Sequence, residues 1–202
     1  MTVSRGFAGR RRGGGRSDLP PGQYDEGSGW PVLTAEVTPH LDPQSWTMDV
    51  DGLVERPTTW SWDEMHALPQ SDYEGPIHCV TTWSKFGMHW SGVSVDVLLD
   101  AVGVQPEAAF VLATSTTGYT TNLPLEHLRG GQAWVAWEAD GKPLTREHGG
   151  PVRLLVPHLY FWKSAKWVTR LTLMDHDVQG FWERNGYHDL GDPWREQRYQ
   201  GD

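Results

Sequence analysis

The sequence predicts a strand-rich α+β domain, mainly β, with mixed sheets and short helices. Three observations carry that prediction: short runs alternate polar and apolar residues and stop at turn dipeptides, helix patterns are few and short, and no internal repeat is present. A flexible Gly/Arg-rich arm is expected over residues 1–29, closing on Gly27-Ser28-Gly29, with the folded domain running from Trp30 to Asp202. The first strand signal, Trp46-Thr47-Met48-Asp49-Val50, enters a turn at Asp51-Gly52. Ser61 to Leu68 follows as a helix with Ser61 as N-cap ahead of Glu64, then Ser94 to Val102 and Leu125 to Arg129. Ala133-Trp134-Val135-Ala136-Trp137 reads as a strand leading to Asp140-Gly141. Val152 to Val156 and Val168 to Leu173 are β-type runs separated by a loop that holds His158, Tyr160, Trp162, Lys163, Ser164 and Lys166. Beyond Met174 neither period persists, but Phe181, Trp182, Tyr187 and Trp194 supply apolar anchors for an ordered tail wrapping the domain.

A hydrophobic content of 38% with 12 tryptophans in 202 residues gives one sizeable domain ample core material. The formal net charge is −9, yet Arg5, Arg10, Arg11, Arg12 and Arg16 all precede the first acid, Asp18; without them 12 basic residues face 26 acidic ones, a balance that repels nucleic acid. Contact of the arginine–glycine arm with RNA stays open beside the plainer reading of a solvated tail. Gly13-Gly14-Gly15-Arg16-Ser17-Asp18 follows the arginine run where a twin-arginine export signal needs an apolar stretch, and no segment approaches the roughly 20 apolar residues of a membrane span. A cytoplasmic location is expected, and a single cysteine suits it.

That cysteine, Cys79, sits in His78-Cys79-Val80-Thr81-Thr82-Trp83-Ser84, just after Gly75-Pro76. Alone it can close no internal disulfide and build no four-cysteine zinc or iron–sulfur site, so its chemistry is that of one thiolate, or it is a small buried hydrophobe. Adjacent His78 is a poor base for it if the segment is extended, because neighbouring strand side chains point to opposite faces. Arg153 interrupts an otherwise apolar run. It either reaches solvent along an exposed strand face or meets an anion, and Gly149, Gly150, Ser164 and Lys166 lie where a phosphate could be held with it. The sequence contains no His-Glu-x-x-His, no Cys-x-x-Cys and no Gly-x-Ser-x-Gly, and Gly13-Gly14-Gly15 does not follow a strand. A cysteine hydrolase pairing Cys79 with one of the nine histidines stays formally open.

Taken in order, His78-Cys79-Val80-x-x-Trp83-Ser84, Gly118-Tyr119, Asp140-Gly141-Lys142-Pro143-Leu144, His148-Gly149-x-Pro151-x-Arg153-x-x-x-Pro157 and Lys163-Ser164-x-Lys166-Trp167 resemble the sulfite-oxidase-type molybdopterin domain over about residues 30–175. The resemblance implies a mainly β fold around one pyranopterin dithiolene carrying one molybdenum, with Cys79 as the protein's ligand to the metal. It further implies Arg153 and Lys166 at the cofactor's phosphate end, and His148, Ser115, Ser164 and the backbone of Ala165 at the pterin. Residues Trp30 to Glu36 take the place of the family's amino-terminal strand.

Such a domain transfers an oxygen atom to or from a small substrate, an oxyanion, S-oxide or N-oxide. Sulfite-oxidising relatives tend to carry arginine directly after the cysteine. Here Val80 stands there, so the continuation looks more like the methionine-sulfoxide-reductase branch, and a neutral oxide suits it. No haem-attachment motif is present, so an external electron partner is implied, docking near the cofactor by the loop Tyr160 to Trp167 unless that loop is core packing. A monomer is expected. A non-catalytic molybdopterin-binding module remains the alternative in a different class.

Overall fold

The structure is a computed structural model that describes residues 18–202; the basic run and glycine triplet of the expected arm lie outside the described residues. In chain order the strands are β1 (Tyr24–Asp25), β2 (Thr47–Gly52), β3 (Thr58–Ser61), β4 (Ser71–His78), β5 (Trp83–Ser94), β6 (Phe110–Ser115), β7 (Thr120–Pro124), β8 (Trp134–Ala139), β9 (Lys142–Pro143), β10 (Arg153–Leu155) and β11 (Val168–Met174). The helices are α1 (Trp62–Ala67), α2 (Val95–Val102) and α3 (Phe181–Arg184).

Two sheets result. One has the order β1-β5-β8-β10, with β4 also paired to β5 and β9 to β8; the other has the order β3-β2-β11-β6-β7. Parallel pairs β1 with β5 and β2 with β11 sit among antiparallel ones, so both sheets are mixed, as expected.

The capped helices form where their signals are. Ser61 and Glu64 close a reciprocal capping box on α1, and the Ser94 hydroxyl accepts from the Asp96 amide to start α2. Leu125 to Leu128 makes only a 3₁₀ turn rather than the expected helix, because Pro124 precedes it and Gly130 and Gly131, both at φ 71°, follow closely. The arm, expected to reach Gly29, gives way earlier: Tyr24 N–H donates to Thr82 O and Glu26 N–H to Ser84 O, adding β1 to the sheet. Those donors satisfy an otherwise open strand edge, which is why a polar, glycine-flanked segment orders there.

The two sheets share one core. Val50 of β2, Val93 of β5, Leu98 of α2, Val135 of β8, Leu154 of β10 and Leu171 of β11 belong to the same buried cluster. Side chains alternate along a strand, so Trp134, Ala136 and Leu155 fall on the other face of the first sheet, in a second cluster with Ile77, Cys79, Trp83 and Trp90. Arg153 pairs with Ala136 and shares the face of Leu155. Strand alternation thus turns Arg153 toward the cysteine. It is 1% exposed, which excludes the solvent-facing reading of that strand.

The fold makes a quantitative demand at β11, which is paired on both sides. Leu171→Ala, at 0% exposure, should lower unfolding free energy by about 2–5 kcal/mol, read as a shift in the denaturant midpoint at unchanged slope.

Candidate cofactor site

Cys79 occupies a tight turn between β4 and β5. Its amide donates to Trp83 O at 2.8 Å, its carbonyl accepts from Thr82 N–H at 3.0 Å, and Thr82 takes φ 81° to reverse the chain. The reversal sends neighbouring side chains apart. His78 is buried against Ser84 Oγ at 2.7 Å and lines a groove with Pro157 and His158, whereas Cys79 lines a separate cavity of about 270 Å³. Burial lowers the His78 pKa to about 4, so it is neither placed nor poised as a base for the thiol. Burial also pushes the Cys79 thiol up, partly opposed by hydrogen bonding from Thr81, whose Oγ1 lies 3.1 Å from Sγ.

The same cavity is lined by His148, Arg153, Ser164, Ala165 and Lys166, so six of the seven residues singled out from the sequence converge. Arg153 donates from Nη1 to His148 O and from Nη2 to Ser164 O, each at 2.8 Å, and its guanidinium lies 3.9 Å from the Phe161 ring centre. Ser164 Oγ accepts from Val156 N–H, and Ala165 O from Leu154 N–H, which fastens this loop along β10. Lys166 Nζ donates to Leu33 O at 2.8 Å and Glu147 O at 2.7 Å. Gly149, at φ 106°, lies so close that a Cβ there would stand 3.1 Å from Cβ of both Arg153 and Lys166, and that backbone conformation favours glycine.

Ser115 is the exception. It does not line the cavity, and its hydroxyl proton goes to Lys166 O, so it touches the site through Lys166 and has no proton left to give a pterin. The expected docking loop is also corrected. Tyr160, Trp162 and Trp167 are all buried, and the Trp162 indole donates to Glu183, so this segment is wall and core, the packing alternative. Trp194, expected as an anchor, is 53% exposed.

The segment Trp30 to Glu36 and the aromatic tail stood out in the sequence, but not the individual residues by which they close the cavity. Trp30 stacks on His148 with ring centres 3.7 Å apart, and Trp182 and Tyr187 reach the wall from the aromatic tail, whose composition was the available signal. Glu36 is the one acid lining the cavity among the described residues, and burial raises its pKa.

The electrostatics are lopsided. Burial lowers Arg153 to about 9 and, with Arg153 beside it, Lys166 to about 8, yet among the described residues neither forms an ion pair with a carboxylate. Among those residues no group of three His, Cys, Asp or Glu could hold a metal, so a metal at Cys79 must bring its remaining donors with it. The indole N–H groups of Trp30 and Trp83, two residues of the cavity wall, have no partner among the described residues. One thiol, two unpaired cations and spare donors fit a metal carried by an anionic organic ligand.

Comparison with known proteins agrees. Residues 35–182 match the family model described as oxidoreductase molybdopterin binding domain. The chain is 40% identical over 197 residues to an uncharacterized oxidoreductase, YuiH, of Bacillus subtilis, covering 97% of this chain and 100% of that protein. It is 32% identical to a putative protein-methionine-sulfoxide reductase subunit, YedZ1, of Azospira oryzae, over 75% of this chain and 57% of the relative. The sulfane dehydrogenase SoxCD from Paracoccus pantotrophus superposes with a TM-score of 0.64 at 25% identity, covering 74% of this chain and 42% of that one.

His148 gives the site a pH dependence. Burial, then Arg153 and Lys166, lower its pKa to about 4, so unfolding takes up a proton between the unfolded value near 6.5 and that pH. Stability contributed by the neutral ring is present above about pH 6.5 and lost as pH falls toward 4. His78 and His158, also lowered to about 4 by burial, share the window, so His148→Gln should make the fall in urea midpoint across it shallower in cofactor-free protein without abolishing it.

Proposed function

The chain belongs to the oxidoreductase molybdopterin binding domain family, of sulfite-oxidase type, and on that premise we propose that it holds one molybdenum on one pyranopterin dithiolene and transfers an oxygen atom to or from a small neutral oxide. The observation that carries the reading is the meeting in one cavity of a solitary thiol with two cations that no carboxylate pairs among the described residues. When bound, the cofactor supplies two-electron oxygen-atom chemistry.

The chain's own residues hold and orient. Cys79 gives the metal a thiolate; burial opposes ionisation of the free thiol, but a coordinated thiol is deprotonated outright. Arg153 and Lys166 take the phosphate, and its charge strengthens the protonated state that burial weakens in both. Neutral His148, clamped by Trp30, offers ring nitrogens to the pterin, beside Ser164 and the backbone of Ala165.

Substrate preference follows from the rest of the wall. Val80 follows the cysteine, Trp182 and Tyr187 bring apolar surface, and Glu36 is shifted toward its neutral form. A cavity so lined receives an uncharged S-oxide or N-oxide better than a dianion. Electrons are exchanged with an external partner, since one cysteine cannot ligate an iron–sulfur cluster. A metal-free cysteine hydrolase is disfavoured: His78 faces away, and His148, the histidine on the cavity wall, has a pKa of about 4.

Elemental analysis tests the reading directly, with about one molybdenum per chain expected and pterin without metal pointing to a carrier. Cys79→Ser should keep its thermal midpoint and lose dye-coupled reduction of methyl sulfoxides; retained turnover would remove Cys79 as ligand. Lys166→Met should weaken retention of the pterin about 10- to 100-fold on dialysis, the cost of one hydrogen bond between charged groups.

A further inference from the structure

The turn bearing Cys79 is gripped by residues from both flanks of the chain. Its successive carbonyls each meet a donor: Cys79 O accepts from Gln23 Nε2 at 3.1 Å, Val80 O from Arg198 Nη1 at 2.7 Å, Thr81 O from the Thr82 hydroxyl, and Thr82 O from Tyr24 N–H at 2.9 Å. Of these four bonds, the one to Arg198 alone ties the turn to the chain beyond β11. It is also a charge-assisted bond, the strongest class among them.

Arg198 is itself set in place. Its amide donates to Glu196 O at 2.7 Å, its carbonyl accepts from His188 N–H at 3.2 Å, and Tyr187 and Tyr199 form an antiparallel bridge beside it. The guanidinium lies 5.0 Å from the centre of the Tyr160 ring and reaches Pro21 O from Nη2 at 3.3 Å. One fork therefore joins the residues before β1, the cysteine turn and the segment that delivers Tyr187 to the cavity. Lysine, with a single nitrogen, cannot span Val80 and Pro21 in the same way. Arg198 lies outside residues 35–182 matched by the family model.

We propose that Arg198 is a positioning residue for the cofactor's cysteine: by locking the Val80 carbonyl it fixes the conformation in which Cys79 Sγ faces the cavity. The inference rests on the reading of Cys79 as the metal ligand, but its test does not require the cofactor. Because Cys79 is the only cysteine in the chain, alkylation of cofactor-free protein by iodoacetamide reports this turn alone. At 7% exposure the thiol reacts as the turn presents it; Arg198 also lowers its pKa, so rates are compared at a pH where the thiol is ionised in every variant and only the conformation of the turn differs.

Arg198→Met should alkylate about tenfold faster, the factor expected from losing one hydrogen bond to a charged group, with amide exchange in β5 and β8 unchanged. Arg198→Lys, which keeps the charge and can reach one carbonyl, should fall between Met and the parent; it serves alone if the Met variant does not fold. A parental alkylation rate in the variants, or an acceleration matched by exchange in β5 and β8, overturns the proposal. Molybdenum content of Cys79→Ser bears on the ligand reading and is independent of these rates.

Discussion

A guanidinium with almost no access to water organises this molecule. Arg153 is 1% exposed and rests on three backbone carbonyls and the face of Phe161. Desolvating a cation without an anion is unfavourable, and the fold offsets this by wrapping carbonyl dipoles around the charge. Those carbonyls belong to the turn at His148, to β10 itself and to the loop at Ser164, so satisfying one side chain fixes the mutual position of three segments. The glycine at 149, the Lys166 ammonium and the stacked pair Trp30–His148 all sit where that arrangement puts them. What the carbonyls leave uncompensated is net charge, and that residue of positive potential makes the cavity a receptor for an anion.

Local chemistry accounts for what could be read in advance. The capping box at Ser61 and the N-cap at Ser94 act over three residues or fewer, and they appear in place. Cys79, Arg153 and Lys166 stood out because each breaks the pattern around it, a reactive or charged group amid apolar or small neighbours. Alternation along β10 then converts the position of Arg153 into a direction. The order of β1 was illegible because Tyr24 and Asp25 have no strand pattern of their own; the amides of Tyr24 and Glu26 donate to an edge that β5 and the turn before it provide. The segment of Trp30 could be placed but not its contact, since the stack on His148 joins rings more than a hundred residues apart, and the place of Tyr187 comes from its ring contacts with Trp162, Trp182 and Tyr199.

Ser115 illustrates how a correct location can hide a different task. It lies at the end of β6, next to the loop that carries Lys166, as its position in the motif order implied. A hydroxyl at that end has one proton to give, to a ligand or to a neighbouring carbonyl, and backbone carbonyls in a buried loop need donors as strictly as ligands do. The hydroxyl is used by Lys166 O. Sequence order locates such a residue, and only the count of buried donors and acceptors decides what it bonds.

The far wall of the cavity is governed by a second buried charge, and this one is paired. Lys163 and Glu183 meet at 2.6 Å with both side chains at 0% exposure. Desolvation of both ions consumes most of the attraction, so such a pair adds little net stability, whereas losing one partner strands the other. Its effect is on geometry. Lys163 also donates to Asn122 O and Oδ1, and Glu183 also accepts from Trp162 Nε1 at 2.9 Å and Thr121 Oγ1 at 3.0 Å. β7, the loop under Ser164 and α3 are thereby held in one register, and Trp182 and Tyr187 inherit their places at the cavity from it. An apolar pair of the same volume could fill that space, but it would set neither the angle of the Trp162 indole nor the depth to which α3 docks. The preference proposed above for small uncharged substrates would need both settled before anything binds.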